Sequence, residues 1–427
     1  MASVNLREIA LDTLVEILEK GSFSHIVEKN VLDKYSYLEK NQRSYLTRLI
    51  NGTIERAIFI DSVIDNYSKT KVKKMKPLIR TLLRQSVYEI YYMDSVGSHS
   101  TVDEAVKLAK KRGFVGLSGF VNGVLRAVIK GKDTYLPNNK SIEYSMPEWI
   151  YDMWVQDYGE KTADLICQGL FMPSKTSIRV NLSKISRDKF IESLINQNIE
   201  VEIDEELPEC LYLRGFDSIS NIDGYENGLF YVQDRASMLV SALSDIKPNF
   251  NVIDVCSAPG GKAIHAAEII AAADGTGTVN SRDLTALKVD LINENIRRSG
   301  LQNIDSRVWD ATVLDEQAIE TADLVIADVP CSGLGVIKKK PDIKNRLKRE
   351  DVYEIASIAE KILENASQYV KKGGTLTFST CTINKTENQN QIKSFILKNS
   401  NFKIEKELQL FPNEKQDGFY ICVMKKQ

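Results

Sequence analysis

From residue 236 onward the sequence alternates short apolar runs with amphipathic stretches, and this alternation narrows the possible folds more than any other feature. Asn251-Val-Ile-Asp-Val255 reads as a buried strand, followed by a glycine-rich turn and a helix from Lys262 to Ala272. Gly277-Thr-Val-Asn280 begins a second strand, with its helix from Thr285 to Ser299. Leu324-Val-Ile-Ala327 is a further strand, Val352 to Tyr369 a helix and Gly374-Thr-Leu-Thr-Phe378 the next strand. Strands joined through helices cannot pair as hairpins, so the pattern specifies a mainly parallel, doubly wound, Rossmann-like α/β sheet. Ligands of such sheets bind outside the carboxyl ends of the strands, where the chemistry is to be sought.

At 427 residues the chain exceeds one ordinary core, and roughly 150 residues per domain predicts about three. Residues 4 to 130 carry apolar positions at helical spacing, among them Leu6, Ile9, Leu14, Leu46, Ile50, Leu82 and Val87. Asn51-Gly52 and Gly97-Ser-His-Ser100 read as turns between these helices. The densest basic run, Lys69 to Lys76, precedes Pro77, which suits the first turn of a helix. Gly131 to Lys140 reads as a linker. Beyond it, residues 145 to 230 mix helices near 145 and 186–196 with short strands at Ile178–Asn181, 199–203 and 229–232. The expected organisation is an all-α domain over 1–135, a small α+β insert over 140–235 and the α/β domain over 236–427.

Composition narrows the function. Hydrophobic residues at 43% and charged residues at 27% are those of a globular chain. No apolar run approaches the roughly 18 residues of a membrane span, and Met1 to Glu8 lacks a signal-peptide core. A cytoplasmic protein without a membrane partner is expected. The six cysteines are far apart and form no C-x-x-C pair, and there are only three histidines. A disulfide framework, a zinc site and a His-based triad therefore have little raw material, and no metal is expected. Residues 1–140 hold 23 Lys and Arg against 15 Asp and Glu, leaving the rest of the chain acidic. A basic N-terminal module suits a polyanion.

The turn Asp254-Val-Cys-Ser-Ala-Pro-Gly-Gly-Lys262 follows a strand and opens a helix, so main-chain amides over Cys256, Ser257, Ala258, Pro259, Gly260, Gly261 and Lys262 can approach a ligand. It is not the G-x-G-x-x-G of dinucleotide enzymes. Asp283 ends the second strand, where a carboxylate can bind ribose hydroxyls, and Asp310, after Arg307-Val-Trp309, can accept from an adenine amine. An adenosine compound without a diphosphate is indicated, with S-adenosylmethionine the natural candidate.

Two cysteines follow strand ends, Cys331 in Asp328-Val-Pro-Cys-Ser-Gly333 and Cys381 in Ser379-Thr-Cys-Thr382. An isolated free cysteine is usually a packing residue, which is the reading for Cys167, Cys210 and Cys422. Cys256 is expected to pack inside the cofactor turn. Cys331 and Cys381 have small or hydroxyl neighbours, and their turns are expected to favour thiolate. A thiolate beside a methyl donor suits pyrimidine chemistry: adding it at carbon-6 makes carbon-5 nucleophilic toward a sulfonium methyl. Asp328 can bind the ring N3 and exocyclic amine, and Lys262 is a further catalytic candidate. One thiol would attack and the other help release, in an order that spacing leaves open.

Ala258-Pro-Gly-Gly-Lys262, Asp328-Val-Pro-Cys-Ser-Gly333, Pro341-Asp-Ile-Lys344 and Ser379-Thr-Cys-Thr-Ile383 with Glu387-Asn388 resemble the Sun/Nop2 family of RNA cytosine-5 methyltransferases. The match is best to its branch acting on small-subunit ribosomal RNA. Val329 and Thr382 replace the family's usual Ala and Ser. The resemblance implies that Cys381 is the nucleophile and Cys331 assists product release. Asn51-Gly-Thr-Ile-Glu-Arg56 and Gly119-Phe-Val-Asn-Gly-Val-Leu-Arg126 resemble a NusB-like helical domain, and Ile178-Arg-Val-Asn181 the entry to the catalytic part. The expected partner is small-subunit ribosomal RNA, free or in early assembly. Contacts are expected from Arg179 and from the cationic stretch after Cys331, which includes Lys338, Lys339, Lys340, Lys344 and Arg346. The rival readings are a tRNA cytosine methyltransferase and a non-catalytic RNA-binding factor.

Overall fold

The computed structural model describes residues 4–94 and 96–427. Met1–Ser3, at the head of the stretch read as lacking a leader, lie outside the described residues. The chain forms two compact units, one running to Ala163 and including Ile337–Arg346, the other comprising Asp164–Val336 and Leu347–Gln427.

The first unit is helical: Leu6–Leu18, Ser24–Lys34, Lys40–Glu55, Ala57–Tyr67, Pro77–Tyr92, Ser98–Lys111 and Ser118–Gly131, followed by shorter helices at Lys140–Glu143 and Glu148–Tyr158. Their apolar faces meet in a core that includes Leu11, Leu14, Leu46, Leu49, Leu82 and Val87. Local chemistry sets the ends. Asn5 caps the first helix by accepting from the Glu8 N–H at 3.1 Å, and Pro77 occupies the first turn of its helix. Asn51-Gly52, expected as a turn, instead lies inside the helix Lys40–Glu55. Glycine is there for close approach, since a Cβ on Gly52 would fall 2.0 Å from the Tyr88 ring. That contact outweighs the roughly 1 kcal/mol that mid-helix glycine costs.

The segment after the Pro-Cys turn corrects part of the expected RNA contact. Lys344 is 2% exposed, and its Nζ donates to the carbonyl oxygens of Glu55 and Ser145, both at 2.6 Å. An ammonium consumed by two buried carbonyls is not presented to a phosphate. Arg346 places its guanidinium 3.7 Å from the Phe23 ring centroid and pairs with Asp342 at 3.4 Å, so its charge is partly committed within this unit. Lys339 and Lys340 are exposed and Lys338 half-buried.

The second unit contains two sheets. The small one is antiparallel, built from β1 (Thr176–Val180), β2 (Glu200–Ile203), β3 (Cys210–Arg214) and β4 (Phe230–Val232) in the order β2-β3-β1-β4. β3 was not expected from the sequence. Four of its five residues are buried, which removes the alternation that marks a half-exposed strand. Arg179, on β1, is fully buried. Its Nε donates to Glu268 at 3.0 Å and its Nη1 to the Gly261 carbonyl at 2.9 Å, with Gln233 also accepting. The expectation of RNA contact fails here, because the guanidinium is fully buried and its Nε and Nη1 are committed to Glu268, Gln233 and the Gly261 carbonyl.

The large sheet comprises β5 (Asn251–Asp254), β6 (Thr278–Asp283), β7 (Ile304–Val308), β8 (Ala322–Asp328), β9 (Val370–Thr380), β10 (Phe402–Leu410) and β11 (Phe419–Lys426), ordered β10-β11-β9-β8-β5-β6-β7. The five strands from β7 to β9 are parallel, and β11 and β10 close that edge antiparallel. This is the doubly wound sheet expected, with helices Gly261–Ala272, Ala286–Ser299 and Arg349–Tyr369 as crossovers. β5 has β6 on one side and β8 on the other, so the strand order reverses there, where a doubly wound sheet opens a crevice for ligand. Among the described residues no helix is long and apolar enough to cross a membrane.

Breaking a buried ion pair by removing one partner costs about 3–5 kcal/mol, because the other charge is left uncompensated. Arg179→Ala is therefore expected to lower unfolding free energy by about that amount in urea titrations. A loss below about 1 kcal/mol would contradict the pairing with Glu268.

Candidate active site

The turn after β5 is built to present main-chain amides. Gly260 caps the helix Gly261–Ala272 at φ 102°, a left-handed conformation that favours glycine, and no side chain caps this end. The first amides of the helix are thus left for an anion. The neighbouring strand holds the turn in place: the Ser257 N–H donates to the Arg282 carbonyl at 2.8 Å, the Ser281 hydroxyl to the Ser257 hydroxyl at 2.6 Å, and the Ala258 N–H to Asp283 Oδ2 at 2.8 Å. Asp283 ends β6, is 4% exposed, and also accepts from the Leu284 N–H at 2.8 Å and pairs with Lys288 at 2.9 Å.

Asp254, at the end of β5, is fully buried, and its Oδ2 has no hydrogen-bond partner. Burial pushes its pKa up to about 7, with Lys262 opposing and Asp328 adding to the rise. An unpaired buried acceptor beside open helix amides suits the ammonium and carboxylate of an amino-acid moiety, and Asp283 at the next strand end suits a ribose diol. These residues therefore fit S-adenosylmethionine. Cys256 is half-buried, and burial first, then the surrounding carboxylates, raises its thiol well above the ordinary value, in keeping with packing rather than reactivity. Asp310 is exposed, and its Oδ1 accepts from the Thr312 N–H at 2.9 Å and hydroxyl at 2.7 Å.

One strand over, β8 and β9 pair in parallel with Asp328 opposite Ser379. Cys331 and Cys381 lie three and two residues beyond that pair, and their sulfurs come within 3.2 Å. Asp328 accepts from the Ser379 hydroxyl at 2.7 Å and from Lys262 Nζ at 2.6 Å. Burial is the largest influence and disfavours the Lys262 ammonium, but the charge and hydrogen bond of Asp328, together with the charges of Asp254 and Cys381, outweigh it and the pKa is raised. The Phe419 ring lies 5.6 Å beneath the same ammonium. Lys262 thus ties the cofactor turn to the thiol site, and the Ser379 and Phe419 contacts come from strand pairing that local sequence does not display.

Contact with Cys381, then burial, then the charges of Cys381 and Glu387 raise the Cys331 thiol well above its ordinary pKa. That direction runs against the expectation that the Cys331 turn favours thiolate.

Comparison with known proteins places this geometry. A family profile described as 16S rRNA methyltransferase RsmB/F matches residues 241–425, the NusB family matches residues 4–130 and an RsmF/B-like ferredoxin-like domain matches residues 146–220. The probable ribosomal RNA small subunit methyltransferase B of Bacillus subtilis (strain 168) is 35% identical, with all of both chains covered. The chain belongs to the RsmB/F methyltransferase family. The probable ribosomal RNA small subunit methyltransferase B of Synechocystis is 28% identical over 99% of this chain and all of its own. The crystal structure of PH0851 shares the fold, with a TM-score of 0.82 over 99% of both chains at 24% identity. This family member is an RNA methyltransferase and its methyl donor is S-adenosylmethionine.

Asp283→Ala removes a buried carboxylate that organises the Ala258 amide at the strand end where a ribose diol would sit. Charge-assisted hydrogen bonds contribute roughly 1.5–3 kcal/mol each, so affinity for S-adenosylmethionine is expected to fall about 10- to 100-fold by calorimetry. An unchanged affinity would contradict the assignment.

Proposed function

We propose that this protein methylates carbon-5 of a cytosine in small-subunit (16S) ribosomal RNA through a covalent cysteine adduct. The observation that carries this reading is the 3.2 Å approach of the Cys331 and Cys381 sulfurs beside the Lys262–Asp328 pair. A methyltransferase acting on an already nucleophilic oxygen or nitrogen has no need of two apposed thiols, whereas carbon-5 of a pyrimidine must first be activated. The names of the full-length relatives support ribosomal RNA of the small subunit as substrate.

Cys381 adds through its thiolate to carbon-6 of the cytosine, and the ring electrons move to carbon-5. Asp328 faces the ring N3 and accepts from the exocyclic amine, while the ammonium of Lys262, which keeps that carboxylate oriented, offsets the negative charge that develops on the ring. When bound, S-adenosylmethionine supplies the electrophilic methyl group. With that methyl bonded to carbon-5, the carbon-5 proton passes to water, the electron pair of the C–H bond forms the 5,6 double bond, and the Cys381 thiolate is expelled. Cys331, protonated and touching the departing sulfur, assists this elimination. Cys256, Ser257, Ala258, Pro259, Gly260 and Gly261 form the cofactor turn, with Asp283 on the ribose and Asp310 at the adenine end. We further propose three domains, 1–135, 140–235 and 236–427, with the first two binding RNA and Lys338, Lys339 and Lys340 among the contacts. The target base must be unstacked to reach the thiols.

Cys381→Ala is expected to abolish methyl transfer, and residual turnover above about 1% of wild type would reject it as the nucleophile. Cys331→Ala is expected to accumulate a protein–RNA adduct through Cys381, seen as a shifted band on a denaturing gel. Mapping 5-methylcytosine in small-subunit ribosomal RNA from cells with and without the gene tests the substrate. An unchanged map would overturn it.

A further inference from the structure

Beneath the two thiols lies a buried carboxyl to which the reaction above gives no role. Glu387 is 1% exposed, and neutral groups from both thiol-bearing turns converge on it. The Ser332 N–H donates to Oε1 at 2.7 Å. The Ser332 hydroxyl and the Asn384 amide both donate to Oε2. The Ser332 hydroxyl also meets the Thr382 hydroxyl at 2.8 Å, and the Asn384 amide donates to the same Thr382 oxygen at 3.1 Å. Glu387 is itself oriented, since its N–H donates to Asn384 Oδ1 at 2.9 Å. Ser332 directly follows Cys331 and Thr382 directly follows Cys381. The Thr382 side chain also hydrogen-bonds the Glu387 carboxyl, which therefore grips the residue after each thiol.

We propose that Glu387 is a positioning residue of the methyl-transfer reaction, its carboxylate clamping the Cys331 turn to the Cys381 turn so that the two sulfurs stay in contact. Burying a carboxyl is costly unless its oxygens are satisfied, and here the satisfying donors are the two turns themselves. The Gly335 N–H to the Cys381 carbonyl, at 3.0 Å, is a second tie between the same turns. It lies four residues beyond Cys331, whereas the Glu387 clamp acts at Ser332, the residue next to that sulfur. The carboxylate has an electrostatic effect as well. After contact with Cys381 and burial, its charge is among the causes that raise the Cys331 thiol, so the clamp also helps keep the releasing residue protonated.

This inference rests on the cytosine-C5 reading, and its test separates the two. The geometric arm needs no RNA: the holoprotein with S-adenosylmethionine is treated with diamide, and the Cys331–Cys381 disulfide is quantified by peptide mass. Two thiols give up two electrons and two protons, and the diazene is reduced to its hydrazine. Glu387→Ala is expected to slow this cross-link about tenfold or more, since a displacement of about 1 Å at a reacting pair costs roughly 10²-fold in rate. Glu387→Gln is nearly isosteric and keeps an acceptor for the Ser332 N–H while turning a donor toward Asn384. It is expected to fall between wild type and Glu387→Ala. In the reaction arm both variants are expected to lose kcat in that same order, with the KM for S-adenosylmethionine within about twofold of wild type. A foldable Glu387→Gln protein that cross-links and turns over at the wild-type rate would overturn the proposal. A wild-type protein that cross-links readily but whose Cys331→Ala variant traps no RNA would instead count against the cytosine-C5 reading. Slower cross-linking in the Glu387 variants would still support the clamp.

Discussion

The parallel pairing of β8 with β9 brings the reactive groups together, and the rest of the site is arranged around it. In register, Asp328 stands opposite Ser379, which lets the Ser379 hydroxyl bond to the Asp328 carboxylate and places the two cysteine turns side by side. That register is not a simple continuation from the start of the strands. Ala322 pairs with Val370 but Leu324 already pairs with Thr375, so β9 carries extra residues in the stretch Lys371–Gly374. Gly373 there adopts φ 75°, and a Cβ on Gly374 would lie 3.0 Å from the Asp323 carbonyl. A slip of one residue on either strand would turn its side chains to the opposite face and separate Asp328 from Ser379.

Close main-chain packing completes what the register begins. A Cβ on Gly335 would fall 1.9 Å from the Gly418 carbonyl and 2.8 Å from that of Cys381, so the Cys331 turn lies flat against the Cys381 turn and the loop leading into β11. Desolvation then differentiates groups of the same type. Three carboxyls, Asp254, Asp328 and Glu387, lie within a few residues of the two thiols or the cofactor turn. Asp328 has a lysine partner, Asp254 keeps one oxygen unpaired, and Glu387 is satisfied by neutral donors. A fixed charge in such a water-poor setting acts more strongly than at a surface, which is why the Lys262–Asp328 pair can tie the turn after β5 to the ends of β8 and β9.

Much of this was legible in the chain. Parallel strands buried on both faces read as short continuous apolar runs, so β5, β8 and β9 could be located, and the turn following β5 could be recognised from its glycines. Other readings failed for physical reasons. Lys344 and Arg179 looked like cations free for phosphate, but exposure depends on whether folding supplies acceptors, and here carbonyls of Glu55 and Ser145 and the carboxylate of Glu268 do so. Asn51-Gly52 carries the same residue signal whether glycine is needed for a turn or for the nearby Tyr88 ring. Glu387 sat in a recognised string without a role, because Ser332, which links it to the other thiol-bearing turn, is 55 residues away.

By itself the sequence determined the helical N-terminal part, the α/β sheet, a glycine-rich turn after a strand and two cysteines at strand ends. Those features follow from hydrophobic period and turn chemistry, which act over a few residues. Only the tertiary structure decided that the two sulfurs meet at 3.2 Å, that the Cys331 thiol is raised by contact and burial and that a buried carboxyl lies against both turns. Contact between residues fifty positions apart depends on strand register, and the state of a thiol depends on the water and charge that packing leaves around it.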